Sequence, residues 1–394
     1  MVYDAIIIGA GASGLSAAIG ASERNRKVLV IDHASEAGKK IRISGGGKCN
    51  VTNRHISTSD YFGADSDFCK YALKHFSSRS ALRMLTEMGI QTEEREYGRI
   101  FCKNSAGELV AQLVQKAENA GVRFAFNTTV KQVRTQKGAY GGAHFSVTCG
   151  DNLYESASLL IATGGLAWPQ IGATDFGYIL ATQFGHQIIP LRPALTGFLL
   201  SPDSPLMNLQ GISLEIQLQV KEKSKVIAEP LLFTHKGISG PAALQASCFW
   251  EKGDVITINF LPSQNIIEQM HAPSNGKLYV QHLIAQFLPD RLSKAIIPEH
   301  LSFRKVAELS KKERQSIAAC VHAHPVLPDA VEDFSKAEVT SGGVSTAELN
   351  PKTMESLLQK GLFFSGEVID ITGKLGGYNI HWAFASGRLA GQYV

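Results

Sequence analysis

The chain begins with an apolar run, VYDAIII at 2–8, that meets Gly9-Ala10-Gly11-Ala12-Ser13-Gly14 without a break. This junction limits the fold more than any later feature. A run rich in Val and Ile predicts a strand buried on both faces, the condition of a parallel sheet. Leu15, Ala18, Ile19 and Ala21 then recur at helical spacing, and Lys27–Ile31 forms a second β-rich run that ends in Asp32. Strand, glycine turn, helix, strand and terminal acid together match the βαβ unit that binds dinucleotides. Each glycine has a task there: Gly9 makes the tight turn, Gly11 admits a pyrophosphate to the backbone, and Gly14 lets helix and strand pack closely. The helix N-terminus presents N–H groups and a partial positive charge to phosphate. Asp32, 21 residues after Gly11, is placed to accept hydrogen bonds from a ribose. The motif alone fits NAD as well as FAD.

Two later segments also run from a strand into glycine. After Gly121, short strands are predicted at Val122–Phe126, Val130–Thr135 and Ala143–Cys149, with Gly138, Gly141 and Gly142 at a turn. Leu159-Leu160-Ile161 then leads into Ala162-Thr163-Gly164-Gly165. Near the C-terminus, Leu362-Phe363-Phe364-Ser365 leads into Gly366-Glu367, with Asp370 as a second acid three residues on. Gly376-Gly377-Tyr378-Asn379 opens a helix predicted from Ile380 to Leu389, and a glycine pair at a helix N-terminus favours an anion. A cofactor that draws on the start, middle and end of a chain must be long, and its contacts should meet at the carboxyl ends of parallel strands. That selects FAD. No second GxGxxG opens another βαβ unit, so no dedicated NAD(P)H domain is expected.

Between the first βαβ unit and these strands lies KKIRISGGGKCNVTN (39–53). Glycine runs cost backbone entropy, so Gly45, Gly46 and Gly47 imply a backbone pressed close to something. Here that something is expected to be the cofactor, with Ser44, Asn50 and Asn53 fixing the path and Lys48 facing an anion. Cys49 sits where disulfide reductases carry a redox cysteine, but its partner position five residues on is Arg54, so dithiol chemistry is not expected. The six cysteines (Cys49, Cys69, Cys102, Cys149, Cys248, Cys320) show no CxxC spacing, which argues against a zinc site. Their scatter, and a start without a basic leader at Met1-Val2-Tyr3-Asp4, set the cytoplasm as the expectation.

Pro190 and Pro193 punctuate the chain, and the character changes beyond them. Ile212–Val220 alternates like a half-buried antiparallel strand, Val255–Phe260 reads as another, and Ser239 and Pro241 mark a helix start after His235. Residues 263–335 read as helices and loops. The expected organisation is an FAD domain over 1–190 and 336–394, an inserted β-rich domain over 191–262, and a helical segment over 263–335. Within 291–314, seven cations (Arg291, Lys294, Arg304, Lys305, Lys311, Lys312, Arg314) face three acids, which suits a solvated face or a phosphate-tracking one. The net charge of +4 permits an anionic partner without requiring it.

Four blocks carry a resemblance: KKIRISGGGKCNVTN, IATGGLAWPQIGATDFGY, LLFTHKGISGPAALQAS and SGEVIDITGKLGGYNIHWAFASG. With them the chain resembles the BaiN/RdsA-type NAD(P)/FAD-dependent oxidoreductases, also called the aminoacetone oxidase family of FAD-binding flavoproteins. The resemblance runs from Gly9 to about Gly391. It implies an α/β fold: a split Rossmann-type domain of the two-dinucleotide-binding flavoproteins, an inserted β-rich domain and a helical segment. It implies FAD, with Ala12, Ser13, Lys40 and Val130 joining the residues named above at the cofactor, and Thr163, Gly164, Gly165, Gly366, Glu367, Asp370, Gly376, Gly377, Tyr378 and Asn379 along its length. NAD(P)H is a candidate electron donor. The family's activities range from bile-acid metabolism and aminoacetone oxidation to saturation of a uridine in large-subunit ribosomal RNA. The expected chemistry is hydride transfer through flavin N5, as a reductase of an activated C=C bond, with a small-amine oxidase and a non-enzymatic RNA-binding protein as the alternatives. A reductase needs an acid for the second proton, and Cys49, His235, Tyr378 and His381 are the candidates.

Overall fold

A computed structural model describes residues 2–137, 143–221 and 223–394. The turn assigned to Gly138, Gly141 and Gly142 lies outside the described residues. Two compact units divide the chain: Met1–Arg192 with Val339–Val394, and Pro193–Glu338.

The first unit is built on one sheet. Arg123–Ala125, Val28–Ile31, Val2–Ile8 and Asn152–Ile161 lie side by side and parallel, with Ala143–Cys149 and Gln132–Lys137 continuing the sheet antiparallel. Asn152–Ile161 changes neighbours along its length. Its first half, Asn152–Ser156, pairs with Ala143–Cys149, and its last three residues pair in parallel with Leu362–Phe364. Ile8, Ile161 and Phe364 are therefore aligned across three adjacent strands. The three strand-to-glycine junctions end at one edge of the sheet, although more than 350 residues separate the first from the last.

The helix Ala12–Ser22 is buried along its whole length, which explains its lack of any polar face. It packs against the C-terminal helix Tyr378–Gly391 through small residues. A Cβ on Gly387 would lie 2.2 Å from the Ser13 carbonyl oxygen, and one on Gly391 would lie 2.4 Å from that of Ala17. Two glycines one turn apart thus let this pair of helices touch backbone to backbone. Ser16 Oγ donates to Phe384 O at 2.9 Å across the same contact.

The second unit carries a seven-stranded antiparallel sheet in the order His324–Val326, Ile256–Asn259, Ser213–Val220, Ile227–Phe233, Gly237–Ser239, Phe198–Leu199 and Ala330–Val331. The alternation in Ser213–Val220 matches its burial, with Ile216, Leu218 and Val220 inward. The helix expected after Ser239 spans Gly240–Ser247. The segment read as helices and loops adds two short strands to this sheet, and its helices share one apolar core with the strands. Leu292, Ile317 and Val321 lie in the same cluster as Ile216, Leu231 and Ile258, so strands and helices form a single unit.

Candidate cofactor site

At the first junction the glycines divide their labour by contact. Gly9 sits at φ +109, and a Cβ there would lie 2.4 Å from Ala162 O on the neighbouring strand. A Cβ on Gly14 would lie 1.9 Å from Gly9 O. Gly11 differs: nothing lies within 4 Å of its Cβ position, and it caps the helix without any side-chain hydrogen bond. The first N–H groups of the helix therefore open onto free space, the condition for an anion. Ser13 spends its hydroxyl on Ser365 Oγ at 2.6 Å, so Ala12 and Ser13 have only backbone N–H groups to offer a phosphate. Asp32 is 15% exposed and closes the turn from behind, accepting the Ala10 N–H at 2.7 Å and the Ala34 N–H at 2.8 Å. Each of its oxygens keeps lone-pair capacity for a ribose.

The glycine run takes a form that the sequence did not suggest. Lys39–Gly47 begins as a helix and breaks at Ser44, where ψ is 147°. Gly45, Gly46 and Gly47 then take φ of 57°, 66° and 83°, and Cys49 follows at 47°. Successive left-handed residues are strongly disfavoured for L-residues, so the run is glycine because the turn demands it. Ser44 holds the turn, its carbonyl accepting the Cys49 N–H at 2.9 Å and its hydroxyl donating to Ile41 O at 2.7 Å. Only Gly45 is crowded, 2.8 Å from the Phe101 ring. Lys48 is 41% exposed, with the Glu93 carboxylate 3.7 Å away.

Lys40, one turn earlier, connects the junctions. Its Nζ lies 2.7 Å from Glu367 Oε2, while Glu367 Oε1 accepts the Thr340 N–H at 2.8 Å. A Cβ on Gly165 would fall 2.5 Å from Thr340 Oγ1 and 2.7 Å from Glu367 Oε1. The acid after the last strand is thus fixed by a cation from the first third of the chain and pressed against the Gly164-Gly165 turn. Two buried hydroxyls in this corner, Thr163 Oγ1 and Tyr178 Oη, have no partner. Burial, with a smaller contribution from Glu367, pushes the Tyr178 phenol far above its ordinary range. Thr340 was missed by sequence reading, because a lone threonine in a β-rich run carries no signal. Asp370 takes a different part from the one expected. It is 3% exposed, accepts the Ala64 N–H at 2.8 Å, and clamps a loop; burial raises its pKa. Val130 is buried just ahead of the strand Gln132–Lys137.

At the far end, Gly376 and Gly377 have φ of 118° and 96°. A Cβ on Gly377 would lie 2.4 Å from Thr52 O. Asn53 Nδ2 donates to Gly376 O at 3.0 Å and to Tyr97 O at 3.1 Å, and the Asn50 amide oxygen accepts the Gly377 N–H at 3.1 Å. Asn379 exchanges hydrogen bonds with the Gly373 backbone at 2.8 Å. All three amides hold the glycine pair and its loop. Gly377 caps Tyr378–Gly391 without a side-chain hydrogen bond.

Residues 3–393 match the family of the HI0933-like protein Rossmann domain. The chain belongs to this family. It is 37% identical to the ribosomal RNA dihydrouridine synthase of Escherichia coli (strain K12), over 99% of this chain and 97% of that protein. It is 30% identical to the 3-dehydro-bile acid delta(4,6)-reductase of Clostridium scindens, over 98% and 97%. The solved 3-ketosteroid delta1-dehydrogenase of Sterolibacterium denitrificans shares its fold, with a TM-score of 0.52, 12% identity and coverage of 99% and 98%. Both relatives are named as enzymes, a synthase and a reductase. The expected FAD fits the cradle: an open helix N-terminus at Gly11, an acid at Asp32, and the Lys40–Glu367 pair between the junctions.

Within this family member, two of the four proton-donor candidates are removed by burial. Cys49 is fully buried and its thiol is pushed up to about 12, chiefly by desolvation. His381 is fully buried as well. Its Nε2 donates to Phe76 O at 2.9 Å, which leaves Nδ1 to accept the Thr52 hydroxyl at 2.8 Å. Burial lowers its pKa to about 4, so near neutral pH it is a neutral packing residue. Tyr378 stands at the glycine pair, its carbonyl accepting from Tyr61 Oη at 3.1 Å. His235 is exposed at the turn between Ile227–Phe233 and Gly237–Ser239 of the inserted unit.

Proposed function

We propose that this enzyme reduces the C5=C6 bond of a uracil in large-subunit ribosomal RNA, giving dihydrouridine. The observation that carries the reading is the end-to-end likeness to the Escherichia coli ribosomal RNA dihydrouridine synthase. The bile-acid relative supports the same reaction type on another substrate, since its name too describes reduction at carbon–carbon double bonds. No observation favours amine oxidation.

Bound FAD supplies hydride transfer through N5, with NAD(P)H as the proposed source of electrons. The chain's own residues do the rest. The N–H groups at Gly11–Gly14 hold phosphate and Asp32 holds a ribose. Lys40 and Glu367 fix the middle of the cofactor. The N-terminus of Tyr378–Gly391 would offer its partial positive charge to negative charge at the reacting end. A proton must reach C5, and donors must polarise the conjugated carbonyl. With Cys49 and His381 removed, Tyr378 and His235 are the proposed proton donors. A base inside folded RNA must first leave its stack. A ribosomal RNA substrate would be met in the cytoplasm, which is the compartment proposed here. Among the described residues, no helix is long and apolar enough to cross a membrane.

Mass spectrometry of ribosomal RNA from a deletion strain tests the reading. Dihydrouridine should vanish from the large-subunit RNA and return with a plasmid copy of the gene. Unchanged dihydrouridine would overturn it.

A further inference from the structure

Two stretches of the chain are rich in cations, and the structure treats them differently. In 291–314, four of the seven are already engaged. Arg291 donates to Asn208 O and Gln210 O, Lys294 pairs with Asp290, Arg304 with Glu313, and Arg314 donates to Met270 O and Val306 O. Only Lys305, Lys311 and Lys312 remain. In 68–86 there is no acid at all, and Lys70, Lys74, Arg79 and Arg83 are exposed. The side chains of these four make no ion pair or hydrogen bond to another described residue. Lys70 and Lys74 stand one turn apart on Lys70–His75, and Arg79 and Arg83 one turn apart on Ser78–Glu87, so each pair shares a helix face.

This basic surface is tied to the reacting end of the cofactor site. Phe76 and Ser78 join its two helices. Phe76 O accepts from His381 on the C-terminal helix, and Ser78 Oγ donates to Asn53 O at 2.6 Å. Asn53 in turn holds Gly376. One of the two helices that carry the cations is therefore bonded to Asn53, one of the residues that hold the glycine pair. At its edge the surface is mixed in charge: Arg83 also lines a recess of about 340 Å³ with Glu23, Glu87, Lys116 and Arg388, and Glu87 ends the helix one turn after Arg83.

We propose that Lys70, Lys74, Arg79 and Arg83 form the surface that follows the phosphate backbone of the RNA substrate and delivers a base to the glycine-pair end of the site. The inference rests on the RNA reading above. It is carried by charge complementarity: unpaired cations in a stretch free of acids give the high local potential that a polyanion seeks.

The test uses the FAD-loaded protein. Fluorescence anisotropy would follow binding of labelled large-subunit ribosomal RNA fragments, purified from the deletion strain, across a salt series. Single-strand binding loses about 0.7 of log–log salt slope per phosphate contact removed. The K70Q/K74Q/R79Q/R83Q protein should bind at least about tenfold more weakly, with a slope reduced by up to about 3. The K305Q/K311Q/K312Q protein should stay within about twofold of wild type. Flavin content and dithionite reduction should be the same in all three, which separates loss of the surface from loss of the fold. Wild-type binding retained by the quadruple variant, or a larger loss in the triple variant, would overturn the surface while leaving the RNA reading intact. A wild-type protein that binds no RNA would overturn both. Preference of the wild type for phosphatidylglycerol vesicles over RNA, lost in the quadruple variant, would overturn RNA as the partner.

Discussion

The two glycine clusters of the first unit look alike in the sequence and differ in what forces them. At Gly9 and Gly14 the force is contact, since a methyl group would enter a carbonyl oxygen 2.4 or 1.9 Å away. At Gly46 and Gly47 no atom lies closer than 3.9 Å to the Cβ position, and the force is a left-handed backbone alone. Contact fixes how elements pack, whereas dihedral demand fixes only how one turn closes. The two classes should respond differently to a single methyl. Gly14→Ala is expected to cost at least about 3 kcal/mol, because neither the turn nor the strand behind it can retreat. Gly11→Ala, one helical turn away at an open position with φ −79°, should cost less than about 1 kcal/mol in the apoprotein. It should instead weaken FAD at least about tenfold, the equivalent of one lost charge-assisted hydrogen bond. Urea unfolding and flavin titration of the apoproteins read both. Equal stability losses at Gly11 and Gly14 would erase the distinction.

The Gly377 position belongs to the contact class, and its crowding neighbour Thr52 is held by His381. That support carries a pH signature. His381 titrates near 6.5 when unfolded and near 4 when folded, because burial disfavours its charged form. A depressed folded pKa means that the unfolded state binds the extra proton first. Stability is therefore unaffected above pH 6.5 and falls as pH drops from 6.5 towards 4, by up to about 3 kcal/mol. In His381→Gln the slope of stability against pH should flatten within that window. Retention of the full slope would show that another group carries it.

Much of this was legible before any coordinates. The three strand-to-glycine junctions announce themselves through local pattern, and local pattern survives folding. Their alignment at Ile8, Ile161 and Phe364 follows once they are recognised as parallel. What local pattern cannot supply is the identity of distant partners. Lys40 reads as one cation among several until Glu367, 327 residues later, lies against it. Asn50, Asn53 and Asn379 read as polar ligands because their carbonyl partners are backbone and leave no mark in the sequence. His381 reads as reactive because chemical type is visible and burial is not. The cations of 291–314 outnumber their acids, but three of the four engaged ones, Arg291, Arg304 and Arg314, donate to main-chain oxygens.

Gly46 offers the finest test of the comparison, because both accounts of the run predict damage there and differ in kind. A left-handed residue with a Cβ costs about 1–2 kcal/mol, less for Asn, whose side chain supports this conformation locally. If the turn alone demands glycine, Gly46→Ala should lose about 1 kcal/mol of stability. Gly46→Asn should regain most of it, and FAD affinity should stay within about threefold of wild type in both. If the backbone at Gly46 instead runs against the cofactor, Asn is the larger intruder. It should then weaken FAD more than Ala does while remaining the more stable protein. The order of the two variants in flavin titration, set beside their order in urea, decides whether the second cluster is a turn or a second cradle.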